Sequence, residues 1–160
     1  MDKSERPGLL LALDYKAAFD TISKEYIVWA FKRFSFGENF VKWMEVLMKN
    51  TESCINYMGW LSQSTEVSSG IRQGCPFSPV AVILALELLA IKIRADPSIK
   101  GISVPRNYKC FLKLLLYADD ITPFLQDRND LKYALSLVSH FTNFSGLAIN
   151  RNKTEAMWLG

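Results

Sequence analysis

The stretch Lys113–Leu125, KLLLYADDITPFL, places two adjacent carboxylates, Asp119 and Asp120, inside an otherwise apolar run. Moving an ionised carboxylate out of water costs several kcal/mol, and two neighbouring carboxylates also repel each other. One explanation is a solvated hairpin turn between two strands. The other is that a cation lies beside the acids, and the rest of the chain must distinguish the two.

Another acid ends the first apolar run of the chain. GLLLALD (Gly8–Asp14) is typical of a buried strand whose last residue emerges at the edge of a sheet. If this strand neighbours the hairpin, Asp14, Asp119 and Asp120 converge. Hard oxygen ligands suit Mg²⁺, and two ions about 3.5–4 Å apart can activate a hydroxyl and stabilise a leaving oxygen in phosphoryl transfer. Spacing alone leaves both the metal site and the solvated turn open.

The composition indicates one folded domain. The chain has 160 residues, of which 49% are hydrophobic, enough for a sizeable core. A net charge of +3 permits a nucleic-acid partner without indicating one. The three cysteines are far apart and form no CxxC pair, which disfavours a disulfide framework or a zinc site and favours a reducing compartment.

Targeting and membrane signals are not visible in the sequence. The most apolar stretch, Val80–Ile93, is shorter than the roughly 20 residues that span a bilayer. The first ten residues contain no apolar segment followed by a small-residue cleavage site. We therefore expect an intracellular protein, cytoplasmic or nuclear, that is neither secreted nor bound to a membrane.

Helix and strand signals alternate along the chain. Their mixed order predicts an α+β fold in which helices pack on one face of a mainly antiparallel sheet. Pro123 is an exception within this scheme, since it removes a ladder hydrogen bond unless its strand lies at an edge or a bulge. The predicted elements are a strand over Gly8–Asp14, a helix from Ser23 to Gly37, a helix with Phe40, Val41, Met44, Leu47 and Met48 on one face, a hairpin around Met58–Trp60, a loop over Ser68–Pro79, a long helix from Ser78 and Pro79 to Asp96, strands over Gly101–Val104, Tyr108–Tyr117 and Ile121–Leu125, a helix over Leu131–Phe144 stopped by Gly146, and short strands in LAIN and AMWLG.

Four stretches resemble, in order, the palm domain of reverse transcriptases: DYKAAFD, GIRQGCPFSP, YADD and SGLAINRNKTE. RQGCP followed by Ser78 and Pro79, and later KTEAMWLG, is similar to the LINE-type (non-LTR) retrotransposon branch. The resemblance runs from about Leu9 to Gly160. It implies a polymerase palm with a ferredoxin-like core, forming one domain over residues 1–160. The implied activity is RNA-directed DNA synthesis, in which a dNTP is transferred to a primer 3′-hydroxyl.

The resemblance also implies a catalytic set. Asp14 and Asp119 correspond to the principal ligands of two Mg²⁺ ions, for which Mn²⁺ is a possible substitute, and Asp120 is the companion acid. Lys153 corresponds to a lysine near the triphosphate, where it could protonate the departing pyrophosphate. Ordinary surface positions remain the alternative for Asp120 and Lys153.

A nucleotide-binding set follows from the same resemblance. Phe19 corresponds to the aromatic residue below the sugar, where a ring would clash with a ribose 2′-hydroxyl and favour dNTPs. The backbone over Tyr15, Lys16, Ala17 and Ala18 could cradle a triphosphate, and plain packing or solvation is the alternative for each side chain. The other implied contacts to the nucleotide or template are Arg72, Gln73, Gly74, Ser78, Pro79 and Tyr117.

The resemblance covers only part of a complete reverse transcriptase. Thirteen residues precede Asp14, so we expect a palm fragment without fingers, thumb or endonuclease. The implied partners are an RNA template, a DNA primer and dNTPs, with the missing regions needed to hold them. The alternative is an inactive palm remnant that acts as a nucleic-acid or protein-binding module. A phosphatase or receiver domain is disfavoured, because LALDYKAAF lacks a second aspartate two residues after the first and the chain has no GxxxxGK[ST] loop.

Overall fold

Short strands and five helices make up the part of the chain that the computed structural model describes, residues 8–104 and 107–159. The N-terminal residues 1–7 and Gly160, the last residue of AMWLG, lie outside this part. The elements in chain order are β1 (Gly8–Ala12), α1 (Ala18–Thr21), α2 (Lys24–Arg33), α3 (Glu38–Met48), β2 (Glu52–Ser53), β3 (Asn56–Tyr57), β4 (Trp60–Leu61), β5 (Thr65–Glu66), α4 (Phe77–Ala95), β6 (Ile102–Val104), β7 (Asn107–Leu112), β8 (Leu114–Tyr117), β9 (Asp120–Leu125), α5 (Arg128–Ser145) and β10 (Glu155–Leu159).

A four-stranded antiparallel sheet in the order β10-β1-β9-β8 forms the centre of the fold. Helices α1 to α4 connect β1 to β8, and α5 connects β9 to β10. Two strand–helix–strand units interleaved in this way give the ferredoxin-like arrangement. The predicted α+β fold with a mainly antiparallel sheet is therefore confirmed.

The core lies between the sheet and the helices that pack on it. Leu9, Leu11 and Leu13 alternate along the first strand and are all buried, as expected where one face of a strand meets the core. Helix α4 contacts α2, α5 and β8, and α5 contacts β9. Helix α4 can lie this close to its neighbours because Ala81, Ala85 and Ala90 are small and buried.

Helix α4 is the most apolar helix, and it ends near Asp96 as predicted. Within residues 8–104 and 107–159, no helix is long and apolar enough to cross a membrane. Its start was predicted wrongly. The helix begins at Phe77 after Pro76, and the Ser78 hydroxyl donates a 2.6 Å hydrogen bond to the Arg72 carbonyl instead of capping the helix.

The predicted strand over Tyr108–Tyr117 is wrong, because it is two strands separated at Lys113. Strand β7 pairs with β6, whereas β8 pairs with β9 in the central sheet. The Lys113 ammonium group donates to the carbonyls of Arg94 and Asp96, at 3.0 and 2.8 Å. By binding carbonyls at the end of α4, Lys113 fixes the chain between β7, which pairs with β6, and β8, which belongs to the central sheet.

Two other boundaries also differ from the sequence prediction. Helix α2 starts at its Ser23 cap as predicted but ends at Arg33, and Ser35, with a φ of 58°, takes the left-handed position expected of a glycine. Gly37, with a φ of −58°, is instead the N-cap of α3. The predicted LAIN strand is reduced to a bridge between Tyr15 and Ile149.

The hairpin around Met58–Trp60 and the end of α5 at Gly146 are confirmed. Helix α5 is longer than predicted, since the Asp127 carboxylate caps it at Arg128. On the predicted apolar face of α3, Val41, Met44 and Met48 are buried, while Phe40 and Leu47 are exposed.

Pro123 lies in β9, a central strand, where its missing N–H has a visible effect. The β1–β9 ladder pairs Leu9 with Leu125 and Leu10 with Phe124, and then resumes only at the bridge between Leu13 and Ile121. The interruption falls opposite Pro123, as expected for a residue that cannot donate to the ladder.

Candidate active site

Asp14 follows β1 and is held by its own backbone. The preceding residue, Leu13, donates its N–H to the Ile121 carbonyl at 2.9 Å. The Asp14 N–H donates to Thr154 Oγ1 at 3.4 Å, and the Asp14 carbonyl accepts from the Asn150 N–H at 2.8 Å. These bonds fix the end of the strand. None of them involves the Asp14 carboxylate, which is half-buried.

Asp119 and Asp120 lie at the tight turn that joins β8 to β9. Ala118 adopts a left-handed φ of 52° in this turn, and Tyr117 pairs with Asp120 across the hairpin. The bridge between Leu13 and Ile121 keeps the register of the β1–β9 ladder. One more step in that register sets Asp14 opposite Asp120, with Asp119 next along the turn. The fold therefore brings the two acidic segments together.

The three carboxylates match Mg²⁺ in ligand chemistry, since all offer hard oxygen atoms. Their side chains are not gathered into a closed cluster. In the part of the chain that the structure describes, no three His, Cys, Asp or Glu side chains are grouped so that they could hold a metal ion. The strand register fits a shared metal site, and the ligand roles of Asp14, Asp119 and Asp120 stay predictions.

The loop that follows β5 packs directly on α1. The Gly70 N–H donates to the Ile22 carbonyl at 2.8 Å, and the Ile71 N–H donates to the Phe19 carbonyl at 2.7 Å. Gly70 has a φ of 79°, and a Cβ atom there would lie 2.7 Å from the carbonyl oxygens of Phe19 and Asp20. Only glycine permits both this backbone conformation and this approach.

A hydrogen bond between side chains joins the same two segments. The Gln73 amide donates from Nε2 to Asp20 Oδ1 at 3.0 Å, and the Ser69 hydroxyl donates to the Asp20 carbonyl at 3.1 Å. Nothing in the sequence around Asp20 signals a partner 53 positions away.

An open cavity of about 700 Å³ lies beside this junction. Its size is within the range of small-molecule sites. Four of the predicted nucleotide-contacting residues line it: Phe19, Arg72, Gln73 and Ser78. The described lining does not include Gly74, Pro79, Tyr117 or Lys153, nor the backbone over residues 15–18.

The predicted phosphate cradle over residues 15–18 is partly occupied by the fold itself. The Lys16 N–H donates to the Ala148 carbonyl at 2.8 Å, so it is not available to an anion. Ala17 adopts a left-handed φ of 43° as it enters α1. The Tyr15 ring is buried and packs edge-on against Phe141.

Two further predicted residues lie at the surface. Tyr117 is 82% exposed, so its ring is not packed in the core. Lys153 is exposed in the turn before β10, and its N–H donates to the Asn150 carbonyl at 3.1 Å. The Asn150 N–H also donates to the Asp14 carbonyl. Asn150 therefore links the turn that carries Lys153 to the strand end that carries Asp14.

The remaining residues of note are a cysteine that lines the cavity and three exposed tryptophans. The backbone N–H of Phe77 lowers the pKa of the Cys75 thiol, with smaller contributions from Ser78 and Arg72. Trp43, Trp60 and Trp158 are more than half exposed.

Comparison with known proteins gives a consistent picture. The family described as "Reverse transcriptase (RNA-dependent DNA polymerase)" matches residues 1–160. The chain is 30% identical over 98% of its length to the "Transposon TX1 uncharacterized 149 kDa protein" of Xenopus laevis, of which it covers 12%. It is 27% identical over 94% of its length to the "Retrovirus-related Pol polyprotein from type-2 retrotransposable element R2DM" of Drosophila melanogaster, of which it covers 14%.

Solved structures of low sequence identity share the fold. Apo telomerase from Candida tropicalis, truncated from its C-terminal domain, superposes with a TM-score of 0.70 at 15% identity, covering 99% of this chain and 32% of that one. Telomerase from the same organism with a fragment of telomeric RNA gives a TM-score of 0.64 at 13% identity, covering 98% and 27%. The chain thus spans a small part of each of these larger proteins.

Proposed function

Because the chain belongs to the reverse transcriptase family, with relatives from non-LTR retrotransposons, we propose that residues 1–160 are the palm of an RNA-directed DNA polymerase. The proposed reaction extends a DNA primer on an RNA template, with a dNTP as substrate. The observation that carries the proposal is the strand register that sets Asp14 beside the turn of Asp119 and Asp120.

In this proposal the three aspartates hold two Mg²⁺ ions, or Mn²⁺ as a substitute. Bound ions of this kind lower the pKa of an attacking hydroxyl and neutralise charge on a leaving group. Asp14 and Asp119 are the principal ligands, because each is half-buried beside the joined strands, whereas Asp120 is exposed. The backbone bonds of Asp14 fix the position of the residue that carries this carboxylate.

The nucleotide binds in the cavity beside Phe19 and Gln73. The Phe19 ring supplies an apolar wall that disfavours a ribose 2′-hydroxyl, and Gln73 offers both a donor and an acceptor. Arg72, on the same wall, meets phosphate charge. Two other groups act from outside the described cavity lining: Tyr117, exposed before the acidic turn, and Lys153, a general acid for the departing pyrophosphate.

The nucleic-acid partners need more surface than this chain offers. Its 19 basic residues are nearly balanced by 16 acidic ones, so the net charge of +3 gives little overall attraction for phosphates. The chain covers 12% and 14% of two retrotransposon relatives. Fingers and thumb regions from outside residues 1–160 are therefore part of the proposal.

Primer extension tests the proposal. The purified chain is incubated with oligo(rA)·oligo(dT), dTTP and Mg²⁺, beside two variants that carry the same change. Asp119→Asn removes a metal ligand, and Asp127→Asn alters a half-buried helix cap at which asparagine also serves as a capping residue. Any extension by the wild type should be kept by Asp127→Asn and reduced to background in Asp119→Asn. Equal extension by all three would overturn it, whereas duplex binding without extension by the folded wild type would favour a non-catalytic binding module.

A further inference from the structure

We propose that Asp20 is a positioning residue that orients the Gln73 side-chain amide, and so determines which group this amide presents to a nucleotide. The inference rests on the proposed nucleotide site. Asp20 itself touches neither the acidic turn nor Asp14 in the described contacts, so its action passes through Gln73.

The chemistry of the pair determines its orientation. Gln73 Nε2 lies 3.0 Å from Asp20 Oδ1. An ionised carboxylate only accepts hydrogen bonds, whereas an amide has a donor side and an acceptor side. Flipping the Gln73 amide would set its oxygen against the carboxylate, which is repulsive. The amide nitrogen therefore faces Asp20, and the Gln73 Oε1 atom is left to accept from a donor on the nucleotide.

The backbone around the pair holds both ends in place. The loop bearing Gln73 donates three hydrogen bonds to α1 and the residue after it: Ser69 Oγ to the Asp20 carbonyl, Gly70 N–H to the Ile22 carbonyl, and Ile71 N–H to the Phe19 carbonyl. Asp20 and Gln73 are both exposed. An exposed hydrogen bond stabilises the fold little, so orientation, not stability, is what this one supplies.

Charge and orientation make opposite predictions for nucleotide affinity. Asp20 and Glu66 both line the cavity as carboxylates. Removing either one takes a negative charge away from a bound triphosphate, which by charge alone tightens binding. If Asp20 orients Gln73, its removal weakens binding instead. Glu66 has no described hydrogen bond to Gln73, so Glu66→Ala is the matched control.

Nuclear magnetic resonance tests the contact without any nucleotide. The Gln73 side-chain amide signals of the ¹⁵N-labelled chain are assigned by their loss in Gln73→Ala. Asp20→Ala is expected to shift these signals, and Glu66→Ala to leave them unchanged. Gln73 signals that are identical in Asp20→Ala and the wild type would overturn the inference.

Calorimetric titration with dTTP and Mg²⁺ tests the consequence. We expect Asp20→Ala to weaken binding about three- to tenfold, the size of one lost hydrogen bond. Asp20→Asn keeps an acceptor but does not repel the oxygen of a flipped Gln73 amide. Its affinity for dTTP should therefore lie between those of Asp20→Ala and the wild type. Melting temperatures should stay within error across the variants. Affinity that rises in Asp20→Ala, as in Glu66→Ala, would overturn the positioning role.

The two proposals can fail separately. If the folded wild type binds no dTTP, the proposed nucleotide site of this chain is wrong, and the Gln73 signals still decide whether Asp20 orients the amide. If the wild type binds dTTP and Asp20→Ala binds it equally well, the nucleotide site stands and the positioning role is wrong.

Discussion

The Leu13 N–H donates to the Ile121 carbonyl at 2.9 Å, and this single bridge joins the two acidic segments of the molecule. Leu13 precedes Asp14, and Ile121 follows Asp120, so the bridge sets the acids in adjacent positions. Both bridging side chains are buried, at 2% and 0% exposure. The relative placement of the acids is thus determined by the core.

Gly70 and Gly74 form a matched pair for testing how tightly the loop packs on α1. Both have a positive φ, of 79° and 80°, but a Cβ atom would clash with backbone at Gly70 and meet nothing within 4 Å at Gly74. We expect Gly74→Ala to cost about 1–2 kcal/mol of unfolding free energy from backbone strain. Gly70→Ala should cost about 1–3 kcal/mol more. Denaturant titration measures both, and equal losses would show that the approach to Phe19 and Asp20 is looser than described.

Two buried phenols should respond in opposite ways to loss of the hydroxyl. The Tyr26 hydroxyl donates to the Ala85 carbonyl at 3.1 Å, whereas the Tyr15 hydroxyl has no hydrogen-bond partner within the described residues. Tyr26→Phe should therefore lower the unfolding free energy by about 1 kcal/mol, and Tyr15→Phe should leave it unchanged or raise it. Burial raises the pKa of both phenols, so both stay neutral in any ordinary buffer. A loss in Tyr15→Phe as large as in Tyr26→Phe would contradict the prediction.

The cap of α5 should give an acid-dependent contribution to stability. The backbone N–H groups of Asp130 and Asn129 donate to the Asp127 carboxylate and hold its pKa below the ordinary value. A carboxyl whose pKa is lowered on folding stabilises the protein above its unfolded pKa, and this stabilisation is lost as the pH falls through the folded pKa. Asp127→Asn keeps a capping oxygen but does not titrate.

The difference in melting temperature between the wild type and Asp127→Asn is therefore expected at neutral pH and should shrink as the pH falls below about 4. Thermal melts across this range measure it. A difference that does not change with pH would show that the carboxylate charge adds nothing at this cap.

Phe19 should control the choice between dNTPs and rNTPs. It lines the same cavity as Gln73, and its carbonyl is fixed by the Ile71 N–H at 2.7 Å. Phe19→Val shortens the apolar wall, so UTP should compete better with dTTP in primer extension or in binding. Phe34→Val, a half-buried aromatic outside the described cavity lining, is the control. An unchanged ratio of UTP to dTTP in Phe19→Val would assign Phe19 to packing alone.

The sequence predicted most of the fold where the signals are local. Ser23 caps α2 through a 3.1 Å bond from the Tyr26 N–H, and Gly146 ends α5 with a φ of 76°. The strand at Lys113 was predicted wrongly because its break depends on carbonyls of Arg94 and Asp96, which are 19 and 17 positions away. Local patterns carry no information on such contacts.

In the candidate site, too, contacts between residues distant in sequence could not be predicted from local patterns. Spacing predicted that Asp14 meets the acidic turn only if its strand neighboured the hairpin, and the resemblance to the reverse transcriptase palm implied that arrangement. Pairing of Asp20 with Gln73 depends on how the loop docks on α1, which involves Gly70 and bonds across about fifty positions. The sequence therefore predicted Phe19 and Gln73 as residues of the site but not the hydrogen bond between Asp20 and Gln73.

Manganese binding tests the central claim most directly, because it depends neither on fingers nor on thumb. Free Mn²⁺ is titrated with the chain and followed by electron paramagnetic resonance, for the wild type, Asp14→Asn, Asp119→Asn and the control Asp127→Asn. If Asp14 and Asp119 share a metal site, the wild type and Asp127→Asn bind Mn²⁺ and each of the other two variants loses that binding. Binding that is equal in all four folded proteins, or absent from the wild type, would contradict the account.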